Sequence, residues 1–262
     1  MNPEIQQVLD GASDGCIVCG DCLEVMAEMP DGCVDIAVSS PPYNMIPTSK
    51  PSGLMRESHH KKNVGYDKYA DNLSQTAYEK WVVSVFGECL RACKGLVWIN
   101  HKTKYIDREG RHPARIYPWP IFAEVIWDCC GSLTLNAKRY APSHEHIIGF
   151  GTPAMWNRQN DTKLTVWRIP TERGVEGHPC PFPLEIPMTL IESSTIGGNI
   201  ILDPFCGSGT TCVAAKMLGR RYIGIDISED YCEIARQRLK ALDTAVPVKE
   251  ARAGQMPLFG EK

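Results

Sequence analysis

The stretch from Asn199 to Gly219 limits the fold more than any other part of the chain. It reads Asn199-Ile-Ile-Leu-Asp203-Pro-Phe205-Cys-Gly207-Ser-Gly209-Thr210-Thr211, followed by Cys-Val-Ala-Ala-Lys-Met-Leu-Gly219. The β-branched apolar run reads as a buried strand, Gly-x-Gly as a tight turn, and the apolar-rich run after it as a helix. Glycine permits positive φ and lets a ligand approach the backbone, while free amides at a helix start attract an electron-rich group. A second apolar run, 222–225, ends in Asp226, nineteen residues after Gly207. At about that spacing a carboxylate reaches the ribose hydroxyls of a nucleotide cofactor. Gly-x-Gly alone equally suits a purely structural turn; strand, helix and Asp226 together point to a cofactor site. Position 212, where a dinucleotide fingerprint would place its third glycine, is Cys. An adenosine cofactor without a pyrophosphate, such as S-adenosylmethionine, therefore fits at least as well as a nicotinamide dinucleotide.

The rest of the pattern agrees with an α/β chain. Short Val/Ile-rich runs at 16–19, 34–38, 96–100, 146–150, 199–202 and 222–225 read as buried strands. Helical periods occupy 75–93, 184–193, 210–218 and 229–242. Strands alternating with helices predict a mostly parallel twisted sheet covered on both faces. One catalytic domain is expected over 1–242, with excursions at 45–72 and 151–177 and a tail at 243–262. No run approaches the roughly 18 apolar residues of a membrane span. Residues 1–15 lack a basic residue and an apolar core, so no signal peptide and a cytoplasmic location are expected. The 12 cysteines are then expected as free thiols. Cys16 and Cys19 would face opposite sides of a strand, so no metal is expected there.

A second motif follows the run 34–38: Ser39-Ser40-Pro41-Pro42-Tyr43-Asn44. Two prolines fix φ and carry no amide proton, so the loop is rigid. It can aim the Ser40 hydroxyl and the Pro41 carbonyl at one point beside an aromatic ring. Two acceptors and a stacking face suit a planar group bearing an NH2, such as a nucleobase. A plain Pro-Pro turn closing a strand is the alternative.

Ser40-Pro41-Pro42-Tyr43 resembles the catalytic motif of S-adenosylmethionine-dependent DNA amino-methyltransferases, and 203–211 resembles their cofactor motif. Catalytic motif first and cofactor motif last resembles the β group, a circular permutation of the Rossmann-like methyltransferase fold. The resemblance runs over about 14–240. It implies that Gly20-Asp21-Cys22-Leu23 borders the cofactor adenine and that Arg91 to Asn100 is the helix-to-strand step after the catalytic motif. Trp127 and Tyr140-Ala-Pro-Ser-His-Glu145 would wall the base pocket, with His178-Pro-Cys-Pro-Phe182-Pro183 against the methionine end. The implied cofactor residues are Asp21, Cys22, His178, Phe182, Asp203, Phe205, Gly207, Gly209, Thr210, Thr211 and Asp226. Ser40, Pro41, Pro42 and Tyr43 are the implied catalytic group. Ser40 and the Pro41 carbonyl would accept both N–H bonds of a flipped-out base, with Tyr43 stacked on it. Neither a covalent intermediate nor a metal is required. Ser at position 40 leans to N4 of cytosine, with N6 of adenine as the alternative. A methyltransferase of the same fold acting on RNA or a protein amide, and a nucleic-acid-binding or nicotinamide-dependent protein, are further readings.

Charge gives the expected DNA-facing side. Residues 1–47 hold eight acidic and no basic side chains, 48–173 hold 19 basic and 12 acidic, and 174–262 hold 9 and 11. The basic middle is where a polyanion would bind. It contains Lys61 and Lys62 in the first excursion, and Arg158, Lys163 and Arg168 in the second, where the resemblance puts target recognition. The tail Gln255-Met-Pro-Leu258-Phe259 resembles the peptides that dock bacterial proteins on the replication sliding clamp, against the alternative of a frayed terminus. The resemblance also implies double-stranded DNA as partner and allows a homodimer.

Overall fold

The computed structural model describes residues 1–44, 73–106, 109–130, 140–157, 164–171 and 183–244. Ten strands and six helices are defined among them. The strands are β1 (Gly15–Cys19), β2 (Ile36–Ser39), β3 (Val97–His101), β4 (Lys104–Ile106), β5 (Glu109–Arg111), β6 (Ile121–Asp128), β7 (His144–Phe150), β8 (Val166–Arg168), β9 (Ile200–Asp203) and β10 (Arg221–Asp226). The helices are α1 (Pro3–Leu9), α2 (Cys22–Ala27), α3 (Gln75–Ala92), α4 (Glu185–Ser194), α5 (Thr210–Met217) and α6 (Glu229–Thr244). Eight strands form one sheet in the order β1-β10-β9-β2-β3-β7-β6-β8, and β4 and β5 form a separate hairpin. Every neighbouring pair in the large sheet is parallel except those of β7, which runs antiparallel to β3 and to β6.

Alternation along the strands builds two cores. Cys16, Val18, Ala37, Val97, Ile99, Ile200, Leu202, Ile223 and Ile225 pack with residues of α1, α2 and α3. The intervening Ile17, Ile36, Val38, Leu96, Trp98, Ile201 and Tyr222 pack with residues of α4, α5 and α6. A strand buried on both faces must be apolar at successive positions, which is why the short Val/Ile runs carried so clear a signal.

Helix α3 shows how a helix of this layer is specified. Ser74 caps it by accepting from the Ala77 amide, and Tyr78, Val82, Val85, Phe86, Cys89 and Ala92 recur at helical spacing and are buried. Among the described residues, no helix is long and apolar enough to cross a membrane. All strands and helices expected from the sequence are present within one or two residues of their expected bounds. Three of the residues read as an excursion, Val166–Arg168, instead extend the sheet as its edge strand beside β6.

Candidate active site

The turn after β9 is held by its own side chains. Gly207 and Gly209 have φ of 48° and 81°, a region that disfavours a side chain. A Cβ on Gly209 would also lie 2.8 Å from Ala235 Cβ, so glycine is what lets α5 start against α6. At the end of β10, Asp226 accepts from the Gly207 amide through Oδ2 and from the Ser228 amide through Oδ1, both at 2.9 Å. Its own carbonyl accepts from the Gly20 amide at the end of β1. Arg238 donates to the Ser208 carbonyl and to the Ser208 and Thr210 hydroxyls. Asp21 caps α2 by accepting from the Leu23 and Glu24 amides, and Cys22 is buried behind it, its thiol pushed up to about 12 by burial and then by Asp21.

The expected cofactor residues therefore converge on the carboxyl ends of β1, β9 and β10, though with different duties. Asp203, Thr210 and Thr211 are buried and bonded internally. Asp21, Phe205, Gly207 and Asp226 are part-exposed. His178 and Phe182 lie outside the described residues.

The Pro-Pro loop leaves the end of β2, and β2 pairs with β9. The two loops are joined directly: Ser39 donates to the buried Asp203 carboxylate at 2.6 Å, and the Thr211 hydroxyl donates to the Val38 carbonyl at 3.3 Å. Asp203 also accepts from the Phe205 amide at 3.1 Å, and burial pushes its carboxyl up to about 6. To one side of this junction the chain order runs β9 to β10, to the other β2 to β3. That is a switch point of an open sheet, outside whose carboxyl edge ligands bind.

Around Tyr43 the loop meets side chains from two other strands. Tyr43 Oη lies 2.8 Å from Ser40 Oγ and donates to Glu145 Oε2 at 3.0 Å. Asn100 Nδ2 donates to both Tyr43 Oη and Glu145 Oε2 at 2.9 Å. Lys102 Nζ sits 2.9 Å from Glu145 Oε1 and 5.2 Å from the Tyr43 ring centre. Burial, and next the Glu145 charge, hold the Tyr43 phenol well above its usual range. His101, 5.2 Å ring to ring from Tyr43, contacts Tyr78 Oη through Nε2 and the Lys102 carbonyl through Nδ1. Burial lowers its imidazole to about 4, so the neutral ring donates from Nδ1 and accepts at Nε2. Asn100 and Lys102 were not singled out from the sequence as site side chains, and Glu145 only as part of the pocket wall. The available signal was a carboxylate between two histidines in a strand otherwise apolar, since buried charges need partners.

Of the expected DNA-contacting residues, Arg168 is described: it is exposed on β8 and donates to Asp128 Oδ2 at 3.1 Å. Lys61, Lys62, Arg158 and Lys163 lie outside the described residues, as do Gln255, Met256, Pro257, Leu258 and Phe259. Cys16 and Cys22 are buried and Cys19 exposed, and among the described residues the three do not lie within 4.8 Å of one another. Among the described residues, two groups bring three ligand-type atoms within 4.8 Å: Cys19, Glu229 and Cys232, and His112, Glu124 and His146. In the second, His146 Nδ1 bonds Glu124 Oε1 at 2.9 Å, and His112 Nε2 lies 3.1 Å from the same oxygen. His112 Nδ1 accepts from the Ala114 amide, and His146 Nε2 contacts the Thr103 hydroxyl.

Comparison with known proteins adds to this geometry. A model of the DNA methylase family matches residues 34–237. The type II methyltransferase M.HinfI of Haemophilus influenzae is 27% identical over 251 residues, covering 86% of this chain and 68% of its own. The type II methyltransferase M.ScaI of Streptomyces caespitosus is 27% identical over 271 residues, covering 87% and 82%. Among solved structures, the cytosine-N4-specific PvuII DNA methyltransferase superposes with a TM-score of 0.66 at 17% identity, over 93% of this chain and 94% of that one. The M1.HpyAVI–SAM complex does so with a TM-score of 0.57 at 21% identity, over 86% and 99%.

Proposed function

The chain belongs to the DNA methylase family of N6- and N4-methyltransferases, and from that membership we propose that it moves the methyl group of S-adenosylmethionine to the N4 amine of a cytosine flipped out of duplex DNA. The observation that carries this reading is the junction of the two loops. Ser39–Asp203 and Thr211–Val38 hold the part-exposed face of the glycine turn beside Ser40 and Tyr43, so a methyl donor in one loop lies next to an acceptor in the other.

The part-exposed residues fit the cofactor. Asp226 and Asp21 offer carboxylate oxygens to hydroxyl groups, Phe205 an apolar ring to adenine, and Gly207 a backbone without a side chain in the way. Bound there, S-adenosylmethionine supplies an electrophilic methyl group. The chain's own residues prepare the acceptor. An exocyclic amine is a poor nucleophile because its lone pair is delocalised into the ring. Ser40 Oγ and the Pro41 carbonyl accept its two N–H bonds and favour a tetrahedral nitrogen whose lone pair faces the methyl group. That is electrostatic and positional catalysis. The Tyr43 ring packs against the extruded base.

Ser40 supports cytosine over adenine: a neutral hydroxyl is a short acceptor suited to a pocket for the smaller ring. The likeness to a cytosine-N4-specific enzyme points the same way. The basic stretch 48–173 supports duplex DNA as the polymer. The test is tritiated S-adenosylmethionine offered with duplex DNA, RNA and protein in parallel. Label is expected in DNA alone; label in RNA or protein with none in DNA overturns the reading.

A further inference from the structure

We propose that Ser40, Tyr43 and Glu145 form a one-way proton relay that carries the amine proton from the reacting nitrogen to a buried carboxylate while the methyl group is transferred. The inference rests on the amino-methyl transfer proposed above and assigns the group that takes the proton.

Hydrogen counting fixes the direction of the chain. A phenol has one proton, and Tyr43 gives it to Glu145 Oε2, which as a carboxylate can only accept. Asn100 Nδ2 is a donor and occupies one lone pair of Tyr43 Oη. The remaining contact of that oxygen, 2.8 Å to Ser40 Oγ, must then be a bond donated by Ser40. Tyr43 Oη is thereby saturated, with one bond given and two received. Ser40 Oγ keeps its lone pairs free for the amine, with its own proton already aimed away from the substrate. Each oxygen is thus poised to receive a proton from one side as it releases one to the other.

The step balances as follows. The nitrogen lone pair forms the new N–C bond, and the sulfur–methyl bond pair returns to sulfur. One N–H proton passes to Ser40 Oγ, the Ser40 proton to Tyr43 Oη, and the Tyr43 proton to Glu145 Oε2. The N–H bond pair stays on nitrogen as the restored lone pair. The product is a neutral methylamine and the carboxylate becomes a carboxylic acid. Glu145 is 7% exposed, but its second oxygen pairs with Lys102, whose side chain is 42% exposed. Release of the proton to water after turnover follows that side. Glu145 acts through Tyr43, so it is a positioning and proton-accepting partner of the catalytic Ser40.

The experiment is single-turnover methylation of duplex DNA by the full chain. Wild type is compared with Tyr43→Phe, which keeps the ring and removes the relay oxygen, and with Glu145→Gln and Glu145→Asp. Calorimetric affinities for S-adenosylmethionine and for duplex are measured on each. Both Tyr43→Phe and Glu145→Gln are expected to slow the chemical step by about 100-fold or more, with binding affinities within about twofold of wild type. Glu145→Asp should recover part of the rate, and the double variant should be no slower than either single one. A Glu145→Gln protein that binds normally and turns over within about threefold of wild type overturns the relay. If that variant loses binding and so reports only misfolding, wild type decides: a solvent deuterium isotope effect near 1 on its single-turnover rate overturns the proposal, and one of about 2 or more upholds it. Wild type that methylates no DNA would fail the underlying reading instead.

Discussion

The loops after β9 and β2 are neighbours in space and opposites in construction. The glycine turn is built almost wholly from its own stretch of chain: two left-handed glycines, the Asp203 and Asp226 carboxylates on backbone amides, and Arg238 clamping Ser208 and Thr210. The Pro-Pro loop contributes Ser40 and Tyr43, but the groups that orient them arrive from β7 and the end of β3, 57 to 102 residues away in sequence. A backbone cradle is written locally; a side-chain network is written wherever the sheet brings strands together.

Variants that separate the two loops test this contrast. Tyr43→Ala should lower single-turnover methylation by about 100- to 10,000-fold while calorimetry finds cofactor affinity within about twofold of wild type. Asp226→Ala should do the reverse, weakening the cofactor about 10- to 100-fold, the range for a lost charge-assisted hydrogen bond, with the rate recovering at saturating cofactor. If Tyr43→Ala lost the cofactor and Asp226→Ala kept it, the two loops would have to exchange roles. Ser39→Ala removes one of the two bonds that join them and leaves a buried carboxylate short of one partner. Urea denaturation should show a loss of about 1–3 kcal/mol, with methylation and cofactor binding falling together.

The smallest effects concern pH, and they carry opposite signs for Asp203 and His101. Asp203, at about 6 in the folded chain against about 3.9 unfolded, binds its proton more tightly when folded. Its contribution to stability is largest below about pH 4 and is lost as pH rises through 6. His101, at about 4 folded against about 6.5 unfolded, binds its proton less tightly when folded. Its contribution is present above about pH 6.5 and is lost as pH falls toward 4. Between pH 4 and 6 the two slopes oppose each other. Denaturation midpoints should reveal them separately: Asp203→Asn removes the first slope and His101→Gln the second. Identical pH dependence in wild type and both variants would contradict these environments.

The same contrast explains what could be seen in the sequence. Strands buried on both faces, such as Ile36–Ser39 and Ile200–Asp203, are continuous apolar runs and were legible. Strand Ile121–Asp128 was not: its first residues are exposed, Glu124 and Asp128 interrupt it, and only Val125 and Trp127 are buried. Helix α1 buries only Ile5 and Val8, too few for a period. In the site, Gly207, Gly209 and Asp226 declared themselves by spacing, and Ser40 to Tyr43 by an unusual proline pair. Asn100, Lys102 and Glu145 carried no such spacing. They become a site only because β3 and β7 pair in antiparallel register, with Asn100 opposite Ile147.

Nucleoside analysis of duplex DNA after incubation with the protein and methyl-labelled S-adenosylmethionine tests the central claim most directly. Digestion to single nucleosides is expected to give labelled N4-methyldeoxycytidine from wild type and none from Tyr43→Ala, although that variant still binds the cofactor. Labelled N6-methyldeoxyadenosine alone would contradict the choice of base. No labelled nucleoside from a wild-type protein that binds both cofactor and duplex would contradict the account itself.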